Sequence, residues 1–224
     1  MKRVLILLSL FLLVFMVDAQ IVSQNQDIMR YEWRKIEERN NPTETVKCDC
    51  YLFPNFVEGN LALKNGNRLS VKFNYNMFYN EVELIRNSDT LFIANRFDVD
   101  SINLANKVFL YTLYNSKEYG VGSAFVERLS NGKVKLLLNN KTTFIPYKPA
   151  APYTSEVDAH YEQSQSYMLK DGKREAVIVK SKSDIYELYP DKKKEIKKFM
   201  KKNKVRFSNQ QSLVKLADYL SSLV

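Results

Sequence analysis

The sequence predicts an α+β protein: an N-terminal helix, a curved antiparallel sheet of nine or ten strands arranged as a meander or half-barrel, and C-terminal helices. Three observations carry this. Apolar residues recur at every second position through the middle of the chain, which is the signature of half-buried strands. Gly-containing turn pairs separate those runs. Near both ends the recurrence shifts to three and four, the spacing of an amphipathic helix.

The chain opens with MKRVLILLSLFLLVFMVDAQ. Lys2 and Arg3 precede an apolar run from Val4 to Val17, and Ala19 offers a small residue for cleavage. This is the pattern of a secretion signal, cut after Ala19. The run is shorter than the roughly 20 residues a spanning helix needs, so residues 20–224 are expected outside the cytoplasm and not anchored through a bilayer.

Residues 23–39 read as a helix. Ser23 and Gln26 have the spacing of a capping box, Met29, Trp33 and Ile36 follow helical spacing, and Asn40-Asn41-Pro42 ends the run. From residue 46 the period becomes two. In RLSVKFNYN, Leu69, Val71, Phe73 and Tyr75 alternate with polar residues. Strands are expected near 57–64, 68–76, 79–86, 89–94, 106–114, 120–129, 132–139, 141–145, 166–171 and 174–180. Asn65-Gly66, Asn131-Gly132 and Asp171-Gly172 sit between such runs and suit tight hairpins, because both turn positions favour positive φ. Residues 146–165, with three prolines and many small or polar residues, read as a long surface loop.

After Lys180 the helical period returns. Ser183 is placed to cap a helix at 184–188, and Pro190 suits a first helical position. Ile196, Phe199 and Met200 form one stripe of a helix over 191–203. Ser208 and Gln211 open a last helix with Leu213, Leu216, Ala217 and Leu220 inside. The expected organisation is therefore a signal at 1–19, a helix and linker at 20–45, an antiparallel β domain at 46–180, and a helical segment at 181–224 packed on the sheet.

The chain carries a formal charge of +9. Residues 182–206 hold nine lysines and an arginine against four acids, a net +6, so the basic character is local. Those lysines fall mostly off the Ile196–Phe199–Met200 stripe. They are either the wet face of a packed helix or a contact for an anionic surface, with Lys193, Lys197 and Lys201 the residues to test. The export signal argues against a nucleic-acid partner.

Little in the sequence favours catalysis. His160, the single histidine, has no nucleophile motif to serve. Asp98 and Asp100 would stand on the same side if extended, as a calcium site or an acid–base pair requires, though a turn or solvent-facing role is the expectation; a hydrolase would need them or His160 to converge in one cleft. No phosphate-cradling or dinucleotide motif occurs. Cys48 and Cys50 suit a tight disulfide, two reduced thiols or a redox pair. On a straight strand their Cα atoms would lie about 6.5–7 Å apart, the edge of what a bridge tolerates, and a turn would help. Two cysteines and one histidine do not make a zinc site, so neither metal nor other cofactor is expected. Aromatic residues crowd the sheet. Phe73, Tyr75, Phe109 and Tyr111 would line a ligand site if the curled sheet left a concavity uncovered.

The stretches NGNRLSVKFNYNMFYNEVELIRNSDTLFIAN at 65–95 and YPDKKKEIKKFMKKNKVRFSNQQSLVKLADYL at 189–220, together with the leader ending in Ala-Gln, resemble uncharacterised secreted proteins of Bacteroidota. The resemblance implies a bacterial envelope setting, periplasmic or secreted, and no activity. A curled sheet with packed helices also looks like the half-barrel of periplasmic lipoprotein carriers. The function expected is non-enzymatic binding of a lipid, another amphiphile or an envelope protein in the sheet's concavity. The alternatives are an interaction protein with no pocket, and a hydrolase.

Overall fold

The computed structural model describes residues 33–35, 46–86, 89–118 and 120–224. Eleven strands form one sheet in the order β1-β5-β4-β3-β2-β6-β7-β11-β10-β9-β8, and β7 also pairs with β8. That last pairing closes β7, β8, β9, β10 and β11 into a five-stranded barrel, from which the remaining six strands extend as a curved wing. The fold is thus α+β, as expected.

The wing comprises β1 (Trp33–Lys35), β2 (Val57–Leu63), β3 (Arg68–Asn76), β4 (Glu81–Arg86), β5 (Asp89–Ile93) and β6 (Val99–Leu104). Strand β3 keeps the predicted alternation at its start and is buried throughout its last four residues, where both faces are covered. At the β2–β3 turn Gly66 adopts φ +91° and Asn65 Oδ1 accepts the Asn67 N–H at 2.9 Å, but the connection spans residues 64–67 and Asn65 keeps a negative φ, so it is not the two-residue turn expected. Two further expectations fail here. Trp33–Lys35, inside the predicted 23–39 helix, is extended and pairs with β5; the rest of that segment lies outside the described residues. Sheet pairing outweighs local helical spacing. Strand β6 was not expected, and it returns beside β2 instead of β5, so the wing is not a simple meander. Its buried residues, Val99, Ile102 and Leu104, do not alternate strictly.

The barrel comprises β7 (Lys107–Ser116), β8 (Gly120–Arg128), β9 (Val134–Ile145), β10 (His160–Asp171) and β11 (Ala176–Ile178). The two short runs expected at 132–139 and 141–145 are one strand, β9, paired with β10 over twelve residues. Residues 160–165 therefore belong to a strand and not to the loop. β11 joins β7 in parallel, the one parallel pairing among the described residues, and this closes the ring. Ala124, Val126, Leu137, Met168 and Ala176 fill the barrel interior.

The outer faces of the barrel strands are buried twice over. Phe109 and Phe125 enter a core with Phe73, Tyr75, Leu84 and Ile102 of the wing. Val134, Leu136 and Leu169 enter a second core with the helices α1 (Lys182–Leu188), α2 (Lys193–Lys202) and α3 (Gln210–Leu223). The helix caps are displaced from the residues predicted. Ser181, not Ser183, opens α1 with Asp184 as its reciprocal partner, and Asn209, not Ser208, caps α3 by accepting the Ser212 N–H at 2.8 Å. Gly132 is needed for close approach, not for its φ. A Cβ there would lie 2.2 Å from Ser221 Oγ of α3. Among the described residues no helix is long and apolar enough to cross a membrane.

Candidate functional site

The four aromatic residues expected around a concavity do not frame an open one. Phe73, Tyr75 and Phe109 are sealed, with relative exposures of 0%, 1% and 0%, because wing and barrel close face to face over them. Tyr111 is half-buried, with its hydroxyl donating to Ser123 Oγ at 2.8 Å and its ring edge-on to the exposed Phe97. Burial holds the Tyr75 phenol far above its ordinary value. It is a neutral hydrogen-bonding post within the core.

Open space lies elsewhere. A hollow of about 310 Å³ sits where the barrel meets the helical segment. Leu169, Val177 and Leu188 give it apolar walls, and Asp171, Arg174 and Tyr189 give it polar ones. Burial, helped by the charge of Asp171 and a hydrogen bond to it, pushes the Tyr189 phenol up to about 12. The seam offers apolar contact, a neutral donor and charges of both signs. Sequence reasoning missed it, although the Asp171-Gly172 turn that supplies one wall was recognised.

A second hollow, of about 520 Å³, borders the segment carrying the cysteines, with Asp49, Tyr51, Met77, Asn140, Gln163 and Gln165 among its walls. Cys48 and Cys50 are joined as a disulfide, their Cα atoms 5.1 Å apart. The segment is pinned on both sides. The Met77 N–H donates to the Cys50 carbonyl at 2.7 Å, and Gln163 Nε2 donates to the Asp49 carbonyl at 2.8 Å.

Lys193, Lys197 and Lys201 are exposed on α2, while Ile196 and Met200 face the core. Phe199 stacks on Tyr219 of α3 with ring centres 4.0 Å apart, and Lys193 Nζ lies 5.6 Å from the centre of the Tyr186 ring. The helix is anchored on one side and presents ammonium groups on the other.

The residues a hydrolase would need stand on separate elements. Asp98 ends a 3-10 turn and accepts from Asn95, and Asp100 is exposed on β6. His160 begins β10, with Nδ1 2.7 Å from the carbonyl oxygen of Asp158. Among the described residues no group of three or more histidine, cysteine or acidic side chains is placed to hold a metal ion.

The loop from β9 to β10 contains a small projecting hairpin. Lys148 bridges to Val157 and Ala151 to Thr154, with Pro152 and Tyr153 at the tip. Tyr153 is fully exposed and held at φ +71°, a conformation costly for a tyrosine. Tyr147 at its base is also exposed.

The chain matches no protein-family model, no curated protein and no solved structure.

Proposed function

We propose that this chain is a non-enzymatic protein of the bacterial cell envelope, periplasmic or secreted, that works by surface contact with an envelope protein. The observation that carries this reading is the filled interior. Phe73, Tyr75 and Phe109 are closed over, so these aromatic residues line no open concavity for an amphiphile. The exposed Tyr153 at a proline-stiffened tip supports it, since a rigid, exposed aromatic is the side chain most used as an interface anchor. The ammonium face of α2 would orient the protein toward anionic surfaces.

Native mass spectrometry of the protein released gently from an envelope tests this. The expected result is a bare polypeptide mass, with any co-purifying protein lost in Tyr153→Ser. A mass excess removed by organic extraction would overturn it in favour of a second reading, an amphiphile carrier. The seam hollow favours that reading, because Leu169, Val177 and Leu188 lie beside the Asp171–Tyr189 pair. In that case Leu188→Arg should abolish the excess.

A further inference from the structure

Three cations share one end of the barrel. Ala124, Val126, Leu137, Met168 and Ala176 point into its interior. Side chains two positions apart on a strand share a face. Arg128 follows Val126 by two on β8, Lys135 precedes Leu137 by two on β9, and Lys170 follows Met168 by two on β10. All three therefore stand on the interior side, and strand directions bring them to the same end. Lys135 and Lys170 are direct cross-strand partners. Arg128 is paired with Leu137 and so lies diagonal to Lys135.

This arrangement is unfavourable on its own. Like charges directly opposite each other across a sheet are destabilising. Each of the three is only partly exposed, and none forms an ion pair among the described residues. Lys170 Nζ donates to the Arg174 carbonyl at 2.7 Å, which satisfies a proton but not the charge. Burial, then the charge of Lys135, lowers the Lys170 ammonium from its ordinary value, while the exposed Glu175 acts in the opposite sense. The layer beneath, Val126, Leu137 and Met168, is apolar and fully buried, so a ligand would rest on the rim and not enter the barrel.

We propose that Arg128, Lys135 and Lys170 form a binding site for a phosphate-type oxyanion at the mouth of the barrel. A planar guanidinium matches two oxygens of such a group, and two ammonium groups answer the remaining charge. A free phosphate compound and a phospholipid headgroup present the same chemistry, and the barrel end is adjacent to the helical segment through Val134 and Leu169.

The test is calorimetric titration of the purified protein with inorganic phosphate at fixed low ionic strength. Saturable binding is expected at about millimolar Kd or tighter. Lys135→Gln with Lys170→Gln should weaken it by about tenfold or more, as loss of charge-assisted hydrogen bonds requires. The same double variant should melt higher than the parent without phosphate, because the repulsion is gone; this also reports that it folds. Reversing Lys193, Lys197 and Lys201 should leave phosphate affinity unchanged. Absence of saturable binding, or equal weakening by the helix variant, would overturn the proposal. Phosphatidylglycerol vesicles then distinguish the sources. Vesicle binding that free phosphate displaces and the double variant loses assigns the mouth to a headgroup. Vesicle binding that ignores both, with phosphate binding lost in the double variant, assigns it to a soluble phosphate compound.

Discussion

Asn80 accepts the Phe125 backbone N–H on its Oδ1 at 2.9 Å, joining the turn after β3 to barrel strand β8. The same oxygen lies 3.0 Å from the Tyr75 hydroxyl, and Asn80 Nδ2 donates to the Ser123 carbonyl at 3.0 Å. Asn80 sits at φ +53°, which asparagine tolerates better than other residues bearing a Cβ. One side chain thus couples the wing to the barrel beside Tyr75 and Phe125 of the core they share. Asn80→Ala strands a buried N–H and adds backbone strain, and should cost about 2–4 kcal/mol. Asn80→Gly removes the bonds but not the permitted φ, and should cost less. Urea unfolding of both variants checks the order; an alanine variant as stable as the parent would refute the coupling.

Ala105 offers the opposite test. It occupies φ +45° beside Asn106 at +66°, in the two-residue turn between β6 and β7. An exposed alanine gains nothing there to offset the strain. Ala105→Gly should stabilise by about 0.5–1 kcal/mol, the αL penalty less the entropy a glycine adds. A thermal melt reads this directly.

The Ala105-Asn106 turn also shows where sequence reading stopped. It carries no Asn-Gly or Asp-Gly pair, so the hairpin and strand β6 went unseen. Strand β3 was legible because Leu69, Val71, Phe73 and Tyr75 repeat every second residue, and α2 and α3 because their apolar stripes are regular. The start of β10, His160 to Gln165, is too polar to announce a strand, and only its long partner β9 holds it extended. The aromatic residues were recognisable as sheet residues, but not as sealed ones. Their covering depends on β6 returning beside β2 and on β11 reaching back to β7, contacts between segments far apart in sequence. The cations at the barrel mouth were unreadable for the same reason, since Arg128, Lys135 and Lys170 become neighbours only through register.

Gly132 should tolerate no side chain. In Gly132→Ala the new Cβ meets Ser221, whose Oγ is fixed by the Val134 N–H at 3.0 Å and lies 3.1 Å from the Val134 carbonyl. The clash should push α3 off β9 and cost about 1–3 kcal/mol, the range for overpacking. Ser221→Gly in the alanine background should recover part of the loss, measured by the same urea titration. No recovery would mean that the glycine serves some other end.

Acid should loosen the helical segment through Asp184. Burial alone would raise this carboxyl. Hydrogen bonds from the Lys180 and Ser181 N–H groups at 2.9 and 2.8 Å, from the Lys117 ammonium at 3.0 Å and from the Ser181 hydroxyl outweigh it and hold the group below its ordinary value. A carboxyl with a depressed folded pKa stabilises fully above its unfolded value, about 3.9, and that stability is lost as pH falls through the folded value. Asp184→Asn should therefore cost about 1–2 kcal/mol at pH 7 and converge with the parent in strong acid. Parallel stability curves over that range would contradict the assignment.

The lysine face of α2 separates a wet helix from a functional one. Lys193, Lys197 and Lys201 are exposed, and Lys193 Nζ lies 5.6 Å from the centre of the half-buried Tyr186 ring, so reversing all three should lower the melting temperature only slightly, through loss of that ring contact. If the face meets anionic membranes, each lysine contributes about 1 kcal/mol near the surface, and triple reversal should abolish binding to phosphatidylglycerol vesicles. Binding by the parent should also weaken steeply with added salt, because exposed charges are screened over about 10 Å at 0.1 M. Vesicle binding that survives both the reversal and the salt would move the contact off this helix. An absence of binding by the parent would leave α2 as a packed helix whose lysines serve only to keep its outer face in water, anchored by Ile196, Met200 and the Phe199–Tyr219 stack.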